Sequence, residues 1–218
     1  MLRLYVDTAS RAAAEPLLAT GVFHGLTTNP TLIEREGLES SHVADIYGWA
    51  TASGAEEVFL QAWGDDADAM QRCAEQLQSI GPKVVVKVPV TPAGTAVAAR
   101  LSVRGQPVLL TAVYNAAQAL LAGATGAAYV APYLGRMHDA GRDGTAEVLR
   151  MHRALAASGS RTRVLVASIR DLDTVVALAE QGVSCFALSP EVARGLFDEP
   201  LTHQAVEVFD KAARRAAP

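Results

Sequence analysis

Residues 83–90 read KVVVKVPV, a run of apolar positions broken once, at Lys87. Valine crowds a helix and fits a pleated strand. A strand that is apolar on both faces belongs to a parallel sheet covered on both sides. Lys87 is the anomaly: alternation puts Val85, Lys87 and Pro89 on one face. A charged amine in that setting is costly unless it is paired or loses its proton. The deprotonated amine is the nucleophile that Schiff-base chemistry on a carbonyl requires. The competing reading at this point is a lysine snorkelling from a strand end.

Working outward, short β-rich runs recur at residues 3–6, 25–27, 58–61, 84–88, 108–110, 129–131, 164–167 and 185–187. Helical patterns at 67–80, 93–104, 116–124, 146–157 and 172–181 lie between them, and glycines such as Gly81, Gly105 and Gly182 punctuate their ends. Eight βα units of roughly 27 residues each predict an α/β chain folded as a single (β/α)8 TIM barrel. The barrel is expected to occupy residues 1–201. Residues 202–218 form an extra C-terminal helix on which Val206, Phe209 and Ala213 share a face. That helix is not needed to close the barrel and is expected to pack on a neighbouring subunit. The helix at 116–124 carries no charge, which also points to a covered surface and a homo-oligomer.

Composition narrows the function. The chain has 218 residues, 19 Lys+Arg against 23 Asp+Glu and a net charge of −4. Such a balance excludes the clustered cations that nucleic acid needs. The uncharged stretch 105–135 is long enough to suggest a membrane span, but Gln106, Asn115, Gln118, prolines and glycines divide it. The N-terminus runs straight into a strand pattern, so a cytoplasmic protein without a signal peptide is expected. Cys73 and Cys185 read as two buried free thiols. The five histidines show no ligand spacing, and there is no glycine-rich nucleotide fingerprint, so neither a metal nor another cofactor is expected. Glu56-Glu57 and Asp65-Asp66 read as solvated ends, and Trp63 as packing or as bordering the substrate mouth.

In a (β/α)8 barrel the reactive groups sit at the C-terminal strand ends. Those positions hold Asp7, Thr27 with Asn29, Gln61, Lys87, Thr111, Tyr133 with Arg136, and Ser168 with Arg170. Asp7 reads either as a helix cap or as a carboxylate that handles substrate hydroxyls and protons. Thr28 or Asn29 before Pro30 also fits a helix cap. Arg136, Arg170 and Ser168 form either a phosphate clamp or ordinary surface ion pairs.

The segments LYVDTA, GLTTNPTL, FLQAW, VVVKVPVTPAG, LLTAVYNAAQALLAGATGAAYVAPYLGR and VLVASIRD resemble the transaldolase family, in particular its small branch that includes fructose-6-phosphate aldolase. The resemblance implies metal-free class I aldol chemistry, with Lys87 as the Schiff-base lysine and Asp7 orienting the substrate hydroxyls. It implies that Thr27 and Asn29 contact the ketose, that Gln61, Thr111 and Tyr133 hold a catalytic water, and that Arg136, Ser168 and Arg170 hold the phosphate. Gln61, Tyr133, Thr111 and Ala131 resemble the aldolase branch rather than true transaldolases, whereas Arg170 resembles the transaldolases. The expected activity is therefore cleavage and formation of the C3–C4 bond of fructose 6-phosphate or a related ketose. The alternatives are transfer of dihydroxyacetone between sugar phosphates and a non-catalytic sugar-phosphate-binding barrel. The resemblance also implies a decamer of pentameric rings.

Overall fold

The computed structural model describes residues 1–216; of the expected C-terminal segment 202–218, the last two residues lie outside the described residues. Eight strands form a closed barrel: β1 (Arg3–Asp7), β2 (Phe23–Thr27), β3 (Glu57–Gln61), β4 (Val84–Pro89), β5 (Val108–Val113), β6 (Tyr129–Pro132), β7 (Arg163–Ile169) and β8 (Cys185–Leu188). Every neighbouring pair is parallel, and β8 closes against β1. The helices that follow the strands are α1 (Arg11–Leu18), α2 (Pro30–Arg35), α3 (Val43–Ala52), α4 (Ala67–Ser79), α5 (Pro92–Val103), α6 (Ala116–Thr125), α7 (Leu134–Asp139), α8 (Gly144–Ala157), α9 (Leu172–Glu180) and α10 (Pro190–Gly195). The final helix, α11 (Pro200–Ala216), has no buried residue. The uncharged stretch 105–135 resolves into β5, α6 and β6. No helix among the described residues is long and apolar enough to cross a membrane.

The all-apolar strands make two cores. Outward-facing side chains such as Val86, Val88 and Leu110 pack under the helices, and inward-facing Tyr5, Phe59, Val85, Leu109, Tyr129 and Leu165 fill the barrel. β5 and β7 run further than their apolar stretches predict. Each contains a register shift at a residue with positive φ, Ala112 (59°) in β5 and Ser168 (60°) in β7. Such bulges bend a strand and re-aim its side chains, as often happens beside active sites.

Two expectations are overturned: of the two cysteines expected to be buried, Cys73 is only half-buried while Cys185 is buried, and a glutamate read as solvated is not. Glu57 is not a solvated end: it opens β3, points into the N-terminal end of the barrel and is only 21% exposed. Its carboxylate accepts hydrogen bonds from Tyr5 Oη (2.6 Å), Tyr129 Oη (2.8 Å) and Arg3 Nη1 (3.1 Å). The barrel must end in something, and two tyrosines have apolar bodies long enough to fill it while their hydroxyls need an acceptor. Burial and these bonds raise both phenols, Tyr129 to about 12. Because this cluster lies at the end of the barrel away from Lys87, it serves stability. Glu57→Ala removes the shared acceptor of three donors, of which Arg3 Nη1 keeps its bond to Tyr129 Oη, and the expected loss is about 2 kcal/mol in urea unfolding. Retained wild-type stability would mean that water replaces the carboxylate without cost.

Candidate active site

Lys87 stands at the inner face of β4, in register with Gln61 of β3 and Leu109 of β5. It is 5% exposed, so its amine does not snorkel to solvent. The Nζ donates to the Thr28 carbonyl oxygen at 2.8 Å and to Thr27 Oγ1 at 3.1 Å, and makes no ion pair among the described residues. Burial pushes the amine below the ordinary lysine value, and the charge of Asp7 opposes this only in part. The amine is thus held by two neutral acceptors, in surroundings that favour its uncharged form over that of an exposed lysine.

Asp7 closes β1. The helix that follows is entered at Ser10, so Asp7 is not its cap. Its Oδ1 is buried and has no hydrogen-bond partner among the described residues. Burial raises the carboxyl, against the pull of Lys87 and Arg136. A raised carboxyl beside a lowered amine is a pair suited to exchanging protons with a substrate.

Tyr133 stands at the N-cap position just before α7, and its phenol is 2.9 Å from Thr111 Oγ1. Burial raises it, and the Thr111 bond works the other way. The Arg136 guanidinium lies 4.9 Å from the centre of the Tyr133 ring, a cation–π contact that fixes both. The β7 bulge brings Ser168 beside them. Gly135 is required there, since a Cβ would stand 2.3 Å from the Ser168 carbonyl oxygen.

A cavity of about 150 Å³ gathers Asp7, Thr27, Asn29, Lys87, Ala131, Tyr133, Arg136 and Ser168. Asn29 does double duty, since its Oδ1 also accepts from Leu32 N at 3.1 Å and so caps α2. Thr111 stands behind Tyr133 rather than on the cavity wall. Gln61 lines a separate, larger trough of about 880 Å³ between α2 and α4, together with the exposed Trp63. The two cavities share Thr31. Arg170 pairs with Asp139 on α7 and is not among the residues lining the cavity, although its Nε flanks Gly135 next to Ser168 Oγ. Arg35 does line it and was not expected. The signal was present, because Thr31 and Arg35 are four apart on a helix whose cap, Asn29, belongs to the site.

The geometry can be set beside known proteins. Residues 4–217 match the model of the Transaldolase/Fructose-6-phosphate aldolase family. The chain belongs to this family. A "Probable transaldolase" of Rhodospirillum centenum is 38% identical over 212 residues, covering 95% of this chain and 89% of that protein. A "Probable transaldolase" of Exiguobacterium sibiricum is 34% identical, with 95% and 96% covered. Among solved structures, a mandelate oxidase mutant aligns with TM-score 0.60 at 16% identity, covering 87% of this chain and 65% of that one. A putative isomerase from Sinorhizobium meliloti gives TM-score 0.60 at 13% identity over 89% of this chain and 53% of that one. This chain thus spans less than two thirds of either structure, and at such identities the likeness concerns the barrel alone.

The dry amine of this transaldolase-family barrel has a thermodynamic signature. Folding lowers the Lys87 pKa, so the unfolded chain holds a proton that the folded chain lacks between the depressed value and the ordinary 10.5. Wild-type stability should therefore fall as pH drops through that window. Lys87→Met should escape the loss and gain on wild type by about 1.4 kcal/mol per pH unit. Parallel stability curves for the two proteins would mean that the amine is hydrated.

Proposed function

We propose that the protein is a class I enzyme that carries a dihydroxyacetone unit on Lys87 and breaks or makes the C3–C4 bond of a ketose phosphate. The observation that carries this reading is the unpaired, buried Lys87 amine beside the buried carboxyl of Asp7. The Nζ lone pair adds to the C2 carbonyl, and loss of water gives an iminium. Asp7 takes the proton of the C4 hydroxyl. The C4 oxygen then forms a carbonyl while the C3–C4 electron pair moves into the iminium, releasing an aldehyde and leaving an enamine on Lys87. Arg136 and Ser168 hold the phosphate.

The fate of the enamine separates two readings. In transfer, C3 attacks a second aldehyde. In cleavage, a water held at Tyr133 protonates C3, and hydrolysis frees dihydroxyacetone. The names of the relatives support transfer, so transaldolase activity is the leading reading. The Tyr133–Thr111 hydrogen bond, and the neutral Gln61 in register with Lys87 on the neighbouring strand, support the lyase reading. Fructose 6-phosphate supplied alone should give at most slow release of glyceraldehyde 3-phosphate, and erythrose 4-phosphate should accelerate it at least tenfold. Equal rates with and without the acceptor would reverse the order of the two readings. Release that survives in Lys87→Met would remove both, leaving the barrel as a sugar-phosphate-binding protein.

The assembly is also a proposal. α11 exposes Leu201, Val206, Val208 and Phe209, and α6 exposes Leu120 and Leu121. Apolar side chains in such number on one helix favour cover by another subunit. A homo-oligomer, of the decameric kind implied by the family resemblance, supplies that cover. Removing residues 202–218 should lower the mass measured by light scattering. An unchanged mass would place the subunit interface elsewhere.

A further inference from the structure

Tyr133 is fixed by more than its phenol. Besides the bond to Thr111 Oγ1 and the Arg136 guanidinium over its ring, it meets the ring of Tyr114 edge to face, with centroids 5.8 Å apart and planes at 79°. Its backbone N–H donates to the Val113 carbonyl oxygen at 3.1 Å. Thr111, Val113 and Tyr114 belong to one short stretch, the end of β5 and the turn into α6. That stretch contains the positive φ of Ala112, so it keeps its shape only if it is anchored. The Tyr114 N–H donates to Gln118 Oε1 at 2.8 Å, and the Gln118 N–H donates to Asn115 Oδ1 at 3.0 Å. The Ala116 N–H, at the open end of α6, donates to Glu147 Oε2 of α8 at 2.9 Å. Tyr114 itself is half-buried against the core outside the barrel. Its hydroxyl bonds to no other described residue, so its ring is the part that acts, and that ring meets Tyr133.

We propose that Tyr114 is a positioning residue: its ring, carried by the anchored β5–α6 turn, holds the Tyr133 phenol at the Lys87 cavity and so sets how much of the enamine is released rather than transferred. This deepens the proposed function and rests on it. In release, the water at the phenol gives a proton to C3 while the enamine electron pair forms the new C3–H bond, which restores the iminium. The hydroxide left behind adds to C2, and the carbinolamine collapses to dihydroxyacetone and the free Lys87 amine. A phenol free to swing holds that water badly. Transfer takes no proton at C3, because C3 attacks the second aldehyde, so the swing leaves it unaffected. Tyr114 does not line the cavity and acts only through Tyr133.

The test measures glyceraldehyde 3-phosphate formed from fructose 6-phosphate alone and with erythrose 4-phosphate, in wild type, Tyr114→Phe and Tyr114→Leu. Tyr114→Leu should lower the acceptor-free rate about fivefold, the size expected of one edge-to-face pair. The acceptor-driven rate and the KM for fructose 6-phosphate should stay within about twofold of wild type. Tyr114→Phe keeps the ring and should match wild type in both rates. Equal losses of the two rates in Tyr114→Leu, or no loss in either, overturn the proposal, as does a Tyr114→Phe that behaves like Tyr114→Leu. Should Tyr114→Leu fail to fold, Glu147→Ala replaces it. That variant keeps every ring, removes one anchor of the turn, and should shift the ratio of the two rates in the same sense by about twofold or more; an unchanged ratio overturns the proposal. Carbon NMR of labelled tyrosine rings, with Tyr133→Phe assigning the line, separates this idea from the catalytic reading. If wild type neither releases nor transfers, a Tyr133 line that is single in wild type and Tyr114→Phe but broadened or split in Tyr114→Leu still supports the positioning role. A line that is single and equally sharp in all three overturns it.

Discussion

The hydrogen bond from Lys87 Nζ to the Thr28 carbonyl oxygen ties the chemistry to the barrel. An amine can be buried in a parallel barrel if neutral acceptors meet it, and here they come from the end of the neighbouring but one strand, β2. That requirement fixes Thr27 and Thr28, which then carry the chain into Asn29, Pro30 and the short helix α2. The same turn thus supports the lysine, caps the helix with Asn29 and brings Arg35 to the cavity. A carboxylate in place of these neutral acceptors would stabilise the ammonium form of Lys87.

The rest of the site depends on two irregularities. Ala112 and Ser168 sit at positive φ, where a non-glycine residue is strained by about 1–2 kcal/mol each. Both follow an inward-facing residue, Thr111 and Ala167. The distortion in β5 accompanies the Thr111–Tyr133 bond, and that in β7 brings Ser168 to the cavity wall. At the other end of the barrel, Glu57 and its three donors close the interior with satisfied polar groups. The molecule is thus well matched at the end away from Lys87 and strained at the end that holds it.

Much of this was legible in the residues. Valine-rich runs at regular spacing gave the eight strands, and the polar residues at their ends gave the rim. Lys87 stood out because alternation left it no solvent face. Glu57 was misread because a glutamate after a glutamate looks solvated; only barrel closure brings Tyr5, Tyr129 and Arg3 to it. The lengths of β5 and β7 were missed because a bulge at alanine or serine leaves no mark of the kind a glycine would. Arg170 was placed by its position in sequence, and its ion pair with Asp139, thirty-one residues away, is a tertiary fact. Arg35 carries no strand-end signal, because it reaches the cavity from α2, one helical turn beyond the turn after β2.

The central claim is that the buried amine of Lys87 forms the covalent bond to the substrate. The chain has three lysines, Lys83, Lys87 and Lys211, so the attachment point can be assigned without ambiguity. Incubation with fructose 6-phosphate followed by borohydride should fix a reduced adduct, seen by intact mass, and peptide mapping should place it on Lys87 alone. An adduct on Lys83 or Lys211, or no adduct in protein that still turns over substrate, would contradict the account.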